Sequence, residues 1–227
     1  MSKINIREIL DFIKDLVIIW IVVLIIRTYI AEPFQISGQS MYGSYYDKEF
    51  IIVDRFSYLD IPWIKEWKVK RGDVIVFKPW VSEERKYYIK RVIWLWGDKI
   101  KITDWKVYLQ KNGTWSFVEL DETYLNEENK DHTYVRWGIT EFEVPEGKYF
   151  VMWDNRNHSD DSRTCFNRSC VYSARDSYIE KKDIVWKLFL DLGYFNFKNF
   201  SFTQPELGID TKPRWLSSQS TFDYKND

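Results

Sequence analysis

Between Tyr149 and Arg163 the chain reads YFVMWDNRNHSDDSR. A strand-like apolar run is followed by three carboxylates (Asp154, Asp160, Asp161), two arginines (Arg156, Arg163) and two serines (Ser159, Ser162) within ten residues. Polar groups this dense beside apolar ones must satisfy one another. A serine hydroxyl becomes a useful nucleophile only when a base takes its proton. The two histidines, His132 and His158, lack the neighbours of a Ser/His/Asp set and read as surface residues. A lysine can replace them if its amine is neutral. An unperturbed lysine titrates near 10.4, but burial disfavours the cation. Lys90 lies in the apolar segment Tyr88-Ile89-Lys90-Arg91-Val92-Ile93, which can supply that burial, whereas an exposed Arg91 stays charged. Taken alone, Lys90 reads as a solvated strand lysine, and Ser40, in Gly38-Gln39-Ser40, as a turn serine.

The elements that position these groups come next. At 227 residues the chain holds one sizeable domain, or a domain plus an insert. Lys plus Arg is 33 and Asp plus Glu is 34, so there is no basic footprint for nucleic acid. Two His and two Cys are too few and too scattered for a zinc site, and no cofactor or metal is expected. The N-terminus is locally very apolar. Leu16 to Ile26 carries no charge, and Phe12 to Ala31 makes twenty residues at the cost of Lys14, Asp15 and Arg27. Those charges lie near the ends, where long side chains reach the interface. Lys3, Arg7 and Lys14 come first, which predicts a cytoplasmic N-terminus and an extracytoplasmic remainder. A cleaved leader would need a small-residue site, and Tyr29-Ile30-Ala31-Glu32-Pro33 offers a poor one; a buried helix is the other reading. The expectation is an uncleaved single-span anchor over residues 1–31, a cell-membrane location and the lipid bilayer as a partner.

Beyond Pro33 short β-branched and aromatic runs predict strands at 50–53, 73–77, 87–93, 99–102, 106–109 and 149–152. The fold class expected is mainly β: an N-terminal transmembrane helix, then an antiparallel β-sheet catalytic domain over 32–192 with a small β-rich insert at about 99–147. Residues 193–227 show no clear period and read as a weakly structured tail.

Four segments occur in order behind the apolar helix: Ser37-Gly38-Gln39-Ser40-Met41, Lys70 to Phe77, Tyr88 to Asp98, and Tyr149 to Arg163. In this order they resemble the successive signatures of the bacterial type I signal peptidases, over roughly residues 10–190. The resemblance implies a serine endopeptidase that removes signal peptides from secretory preproteins after small residues. It implies Ser40 as nucleophile, Lys90 as general base and Ser159 as the serine that orients the lysine amine. The oxyanion region would include the backbone at Gly38 and Ser40. Some members place a serine hydroxyl at the position of Gly38, so that donor does not carry over. Arg91, Asp154, Arg156, Asp161 and Arg163 would be structural, and Met41 and Trp153 would lie near the substrate pocket. Gly43-Ser44 stands where the family usually has Pro-Thr. An extracytoplasmic location makes a Cys165–Cys170 disulfide expected. Two alternatives remain: a self-cleaving repressor-type Ser/Lys peptidase, which should carry a DNA-binding helix pair, and a membrane-anchored binding protein with a dead site.

The second alternative turns on tryptophan. The chain has 12 Trp and only 9 Gly, against about 7% Gly on average. Trp94, Trp153 and Trp186 stand at family glycine positions, and Asp104-Trp105 sits where a hairpin wants Asp-Gly. Trp80 follows Pro79, and Trp63, Trp67, Trp96 and Trp137 also lie in turn-like contexts. One explanation covers them: UGA codons read as glycine at the source and as tryptophan in translation. The other explanation is interfacial tryptophan. Trp20 and Trp115 sit in contexts that accept an aromatic.

Overall fold

The computed structural model describes residues 6–54, 68–78, 87–135, 138–157, 160–168, 177–204 and 207–215. Helix α1 spans Ile6–Ile25, and a π-helical turn, Ile26–Ile30, continues it into strand β1, Ala31–Gln35. No residue of α1 is buried. Among the described residues no helix is long and apolar enough to cross a membrane. The transmembrane expectation is corrected to that extent. Arg7, Glu8, Asp11, Lys14 and Asp15 crowd the first half of α1, and the apolar run ends in the π-helical turn.

The remainder is antiparallel β structure. The strands are β2 (Phe50–Asp54), β3 (Val74–Phe77), β4 (Tyr88–Trp94), β5 (Lys99–Thr103), β6 (Lys106–Gln110), β7 (Val118–Glu119) and β8 (Glu141–Glu143). They continue with β9 (Lys148–Met152), β10 (Ile179–Glu180) and β11 (Ile184–Gly193). The main sheet runs β1-β2-β11-β3-β4-β9-β10, and a smaller sheet runs β7-β6-β5-β8. The smaller sheet is the insert between β4 and β9. The β5–β6 hairpin alternates buried Ile100, Ile102, Val107 and Leu109 with more exposed residues, the period of a half-buried strand.

β11 lies between β2 and β3, where its length lets it bridge both. Its inward charges are paired: Lys187 Nζ meets Asp73 Oδ1 at 2.8 Å, and Asp191 meets Arg214 at 2.6 Å. One core cluster joins Ile36, Met41, Val53, Val74 and Leu188 beneath the Ser40 loop. Another joins Ile93, Trp94, Ile100, Phe142 and Phe150 between the two sheets.

The segment after Gly193, described at 194–204 and 207–215, carries short paired strands there. Strands β12 (Thr203–Gln204) and β13 (Ile209–Asp210) pair with each other, and β14 (Arg214–Trp215) pairs with β11. Its aromatic residues supply the order: Phe195 packs against Phe197, Phe200 and Phe202. Aperiodic spacing hides such a cluster, because the contacts fold back across a turn.

Candidate active site

Ser40 follows β1 in a tight turn. Tyr42 N–H donates to the Gln39 carbonyl, and Ser44 N–H and Tyr45 N–H both donate to the Met41 carbonyl. Met41 is fully buried in the core below. It therefore anchors the turn. Asn155 ties the turn to the segment after β9: its N–H donates to the Ser40 carbonyl at 3.0 Å, and its Nδ2 to the Gln39 carbonyl at 3.0 Å. Gly38, at φ +96°, donates its N–H to Asp47 Oδ1 at 2.7 Å. That donor is engaged. The Ser40 N–H meets no acceptor among the described residues, which suits an oxyanion donor.

Lys90 and Arg91 are neighbours on β4 and so face opposite sides of the sheet. Lys90 faces a groove of about 750 Å³ walled by β1, the loop to Ser40, the first half of β4, Trp153 and Asn155. Lys90 is 1% exposed. Burial pushes its amine well below the ordinary lysine range, against the pull of Asp161, Asp154 and Asp160. Its Nζ donates to the Ile89 carbonyl at 3.0 Å and lies 3.8 Å from the Trp153 ring centroid. On the other face Arg91 donates twice to Asp154, at 2.9 and 2.6 Å, and once to the Gly72 carbonyl at 3.1 Å. Burial disfavours the Arg91 cation, but Asp154 more than offsets it and holds the guanidinium charged. Arg91 is buried, so its charge is held by Asp154 and not by exposure to water.

Of the carboxylates and arginines after β9, Asp161 and Arg163 satisfy each other, whereas Asp154 pairs with Arg91 of β4 and Arg156 with Glu122 of the insert. Arg163 forks onto Asp161 at 2.9 and 2.8 Å. Burial raises the Asp161 pKa, but Arg163 and the backbone N–H groups of Arg163 and Trp153 outweigh it and lower the value. Arg156 pairs with Glu122 and donates to the Tyr124 hydroxyl, while its N–H meets Asn129 Oδ1 at 2.6 Å. Glu122, Tyr124 and Asn129 thus brace the site from the insert. The sequence reading missed them, and no spacing signal marks them. Asn155 was legible only in part: it lies inside the quoted motif, yet nothing in the sequence says that it reaches across 116 positions to Gln39.

Ser159 and His158 lie outside the described residues. Cys165 is disulfide-bonded, and the chain's one other cysteine, Cys170, lies outside the described residues. Trp63, Trp67, Trp80 and Trp137 lie outside them too.

The sequence profile of the family described as signal peptidase, peptidase S26, matches residues 9–190. The chain belongs to that family. The signal peptidase P of Bacillus subtilis subsp. natto, a signal peptidase I, is 34% identical over 176 residues, covering 74% of this chain and 88% of the relative. The signal peptidase I of Bacillus licheniformis is 34% identical over 161 residues, covering 69% and 79%. The crystal structure of a signal peptidase I from Enterococcus faecalis V583 superposes with a TM-score of 0.38 at 28% identity, covering 54% of this chain and 97% of that one. This signal peptidase is accordingly a serine endopeptidase of type I.

Three tryptophans fit this signal peptidase poorly as tryptophans. Trp105 takes φ +65° beside Asp104 at +51°, the paired positive values of a two-residue hairpin turn that favours Asp-Gly. Trp94 and Trp153 bury their indole Nε1 with no hydrogen-bond partner, which costs roughly 1–3 kcal/mol each. Trp186 differs: it finds an aromatic niche against Phe34 and Tyr87.

Proposed function

We propose that this endopeptidase removes signal peptides from secretory preproteins with Ser40 as nucleophile and Lys90 as general base. The observation that carries the reading is the buried Lys90 amine facing the groove that Ser40 also lines. Burial favours the neutral amine, the form able to accept a proton. In the proposed reaction Ser40 Oγ attacks the scissile carbonyl carbon and its proton passes to Lys90 Nζ. Negative charge develops on the carbonyl oxygen opposite the Ser40 N–H. Collapse breaks the peptide bond, and Lys90 returns the proton to the departing amine. A water then attacks the acyl-Ser40 ester by the same route. β1 is the edge strand of the main sheet beside the groove, so an extended preprotein segment can add to it and present alternate side chains.

Ser159 is proposed to orient the Lys90 amine, on the strength of the family motif alone. Cys170 is proposed as the partner of Cys165. The apolar stretch through α1 is proposed to hold the chain at the bilayer, N-terminus inside and catalytic domain outside. The support is that its apolar side chains from Leu16 to Ile26 are all exposed. Extraction of membranes with alkaline carbonate tests this: release of the full chain into the supernatant would contradict it.

Residue 153 is inferred to be glycine in the working enzyme. A ring centred 3.8 Å from Lys90 Nζ crowds the amine on the groove side, and the cation–π contact favours the charged form that cannot act as base. Taken literally, Trp153 favours the second reading, a groove that binds peptides without cutting them. UGG codons at 94, 105, 153 and 186 would remove the glycine inference. Preprotein cleavage by the Ser40→Ala and Lys90→Ala forms tests the chemistry. Both should fall to background, and activity surviving either change would overturn the Ser/Lys assignment.

A further inference from the structure

The most unexpected contact in the molecule joins its C-terminal segment to the turn that carries Ser40. Arg214 lies beyond residues 9–190, the extent of the family match. Its guanidinium donates through Nε and Nη2 to Asp191 Oδ2, at 3.0 and 2.6 Å. The same Nη2 donates to the Ser44 carbonyl at 2.8 Å, and the guanidinium carbon lies 5.2 Å from the Tyr45 ring centroid. Ser44 and Tyr45 are the last two residues of the turn, the ones whose N–H groups close on the Met41 carbonyl.

The segment is built to deliver this arginine. β14 pairs with β11 at Leu190 and Asp191, on the edge that β3 leaves open beyond Lys187. Trp215 meets Phe189 edge to face. Thr211 bonds back to the Phe202 carbonyl and accepts the Tyr194 N–H. At Gly193 the approach is so close that a Cβ would fall 1.5 Å from the Thr211 carbonyl oxygen. Asp191 is itself buried, its other oxygen taken by the Gly193 N–H at 2.8 Å, so Arg214 supplies the charge that a buried carboxylate requires.

We propose that Arg214 is a positioning residue for the reaction: the C-terminal segment clamps the far end of the nucleophile turn and fixes the aim of Ser40. Asn155 holds the near end through Gln39 and Ser40, and Arg214 holds the far end through Ser44. This rests on Ser40 being the nucleophile. The guanidinium fork suits the task, because one planar group reaches a carboxylate and a carbonyl together.

The test compares the full-length chain in detergent with its Arg214→Ala, Arg214→Lys and Ser40→Ala forms. Hydrogen exchange at the Ser44 and Tyr45 amides should speed up about tenfold in Arg214→Ala, with the β5–β6 hairpin unchanged. On a preprotein substrate its kcat should fall about tenfold with KM held within about twofold, the mark of lost aim rather than lost binding. Arg214→Lys, which keeps the charge but loses the planar fork, should recover only part of both. Unchanged exchange in Arg214→Ala would overturn the proposal, as would faster exchange with unchanged kcat. The exchange arm needs no turnover, so unchanged exchange overturns the clamp even in a chain that cuts slowly. Full activity in Ser40→Ala would sink the nucleophile assignment and the clamp with it. Loss of activity in Ser40→Ala with none in Arg214→Ala would sink the clamp alone.

Discussion

Asn155 grips Ser40 by its backbone and leaves its hydroxyl alone: the Asn155 N–H donates to the Ser40 carbonyl at 3.0 Å, and Nδ2 donates to Gln39 at the same distance. The segment after β9 thereby sets where the turn sits relative to β4, the strand that carries Lys90. Asn155→Ala removes the side-chain bond and keeps the main-chain one. A hydrogen bond of this kind contributes about 1 kcal/mol, so kcat should drop roughly five- to tenfold while KM changes little. Asn155→Asp should do worse, since a carboxylate would face the Gln39 carbonyl. Steady-state kinetics on a preprotein would show both.

The pH dependence of turnover follows from Lys90. Its pKa is depressed by burial, and on the proposed Ser/Lys mechanism the active form is the neutral amine. Activity should rise with pH through an ionisation well below the ordinary lysine value. Stability runs the same way. Between the depressed folded value and the unfolded value near 10.4, the unfolded chain binds more protons, so unfolding becomes harder as pH rises. A kcat/KM profile whose acid limb sits at the ordinary lysine value would refute the depressed base.

Trp153→Gly should raise preprotein kcat/KM by roughly 10²-fold, the scale on which a misplaced or obstructed reacting group is felt. It removes an indole whose Nε1 is buried without a partner, together with its contact on Lys90. Equal activity in the two forms would show that the indole stands clear of the chemistry.

Asp154→Ala leaves the Arg91 guanidinium buried without its carboxylate. Breaking a buried pair on one side costs about 3–5 kcal/mol. Chemical denaturation should show that loss. The double change Arg91→Met with Asp154→Leu should recover part of it, because no charge is then stranded. A single-variant loss under about 1 kcal/mol would mean that water reaches the pair.

Glu49 supplies a second titration. Burial pushes its carboxyl up to about 7, and nearby Asp191 adds to this, while the Tyr46 N–H and Arg214 pull it down. A raised carboxyl pKa means the folded state binds the proton more tightly than the unfolded chain. Its stabilising contribution is complete at low pH and is lost as pH rises from about 4.5 to about 7. Glu49→Gln should flatten melting temperature against pH over that window, measured by calorimetry.

Much of the strand framework was legible because β-branched and aromatic runs favour strands. β2, β3, β4, β5, β6 and β9 fall on the runs that predicted them. β11 was not singled out, since Lys187 and Asp191 break its apolar run and their partners, Asp73 and Arg214, are remote in sequence. That the charges after β9 need partners could be anticipated from their density, but the partners Arg91, Glu122, Tyr124 and Asn129 could not, because β4 and the insert meet the segment only after folding. The short strands after Gly193 escaped for the same reason. The aromatic contacts and the arginine of that segment act across turns, where no short-range period exists.

β4 places two cations side by side and assigns them opposite fates. Lys90 is buried with no carboxylate in ion-pair contact among the described residues and loses its proton readily; Arg91 is buried against Asp154 and keeps its charge. The pleat alone separates them. A slip of one residue in the pairing of β4 with β3 and β9 would exchange the two, putting a permanently charged fork into the groove and an amine against Asp154. The groove would then attract carboxylates and have no base. On the proposed assignment of Lys90 as base, catalytic competence is therefore a property of strand register, and a single-residue insertion or deletion within β4 should convert a hydrolytic site into an anion-binding one although Lys90 and Arg91 both remain in the chain.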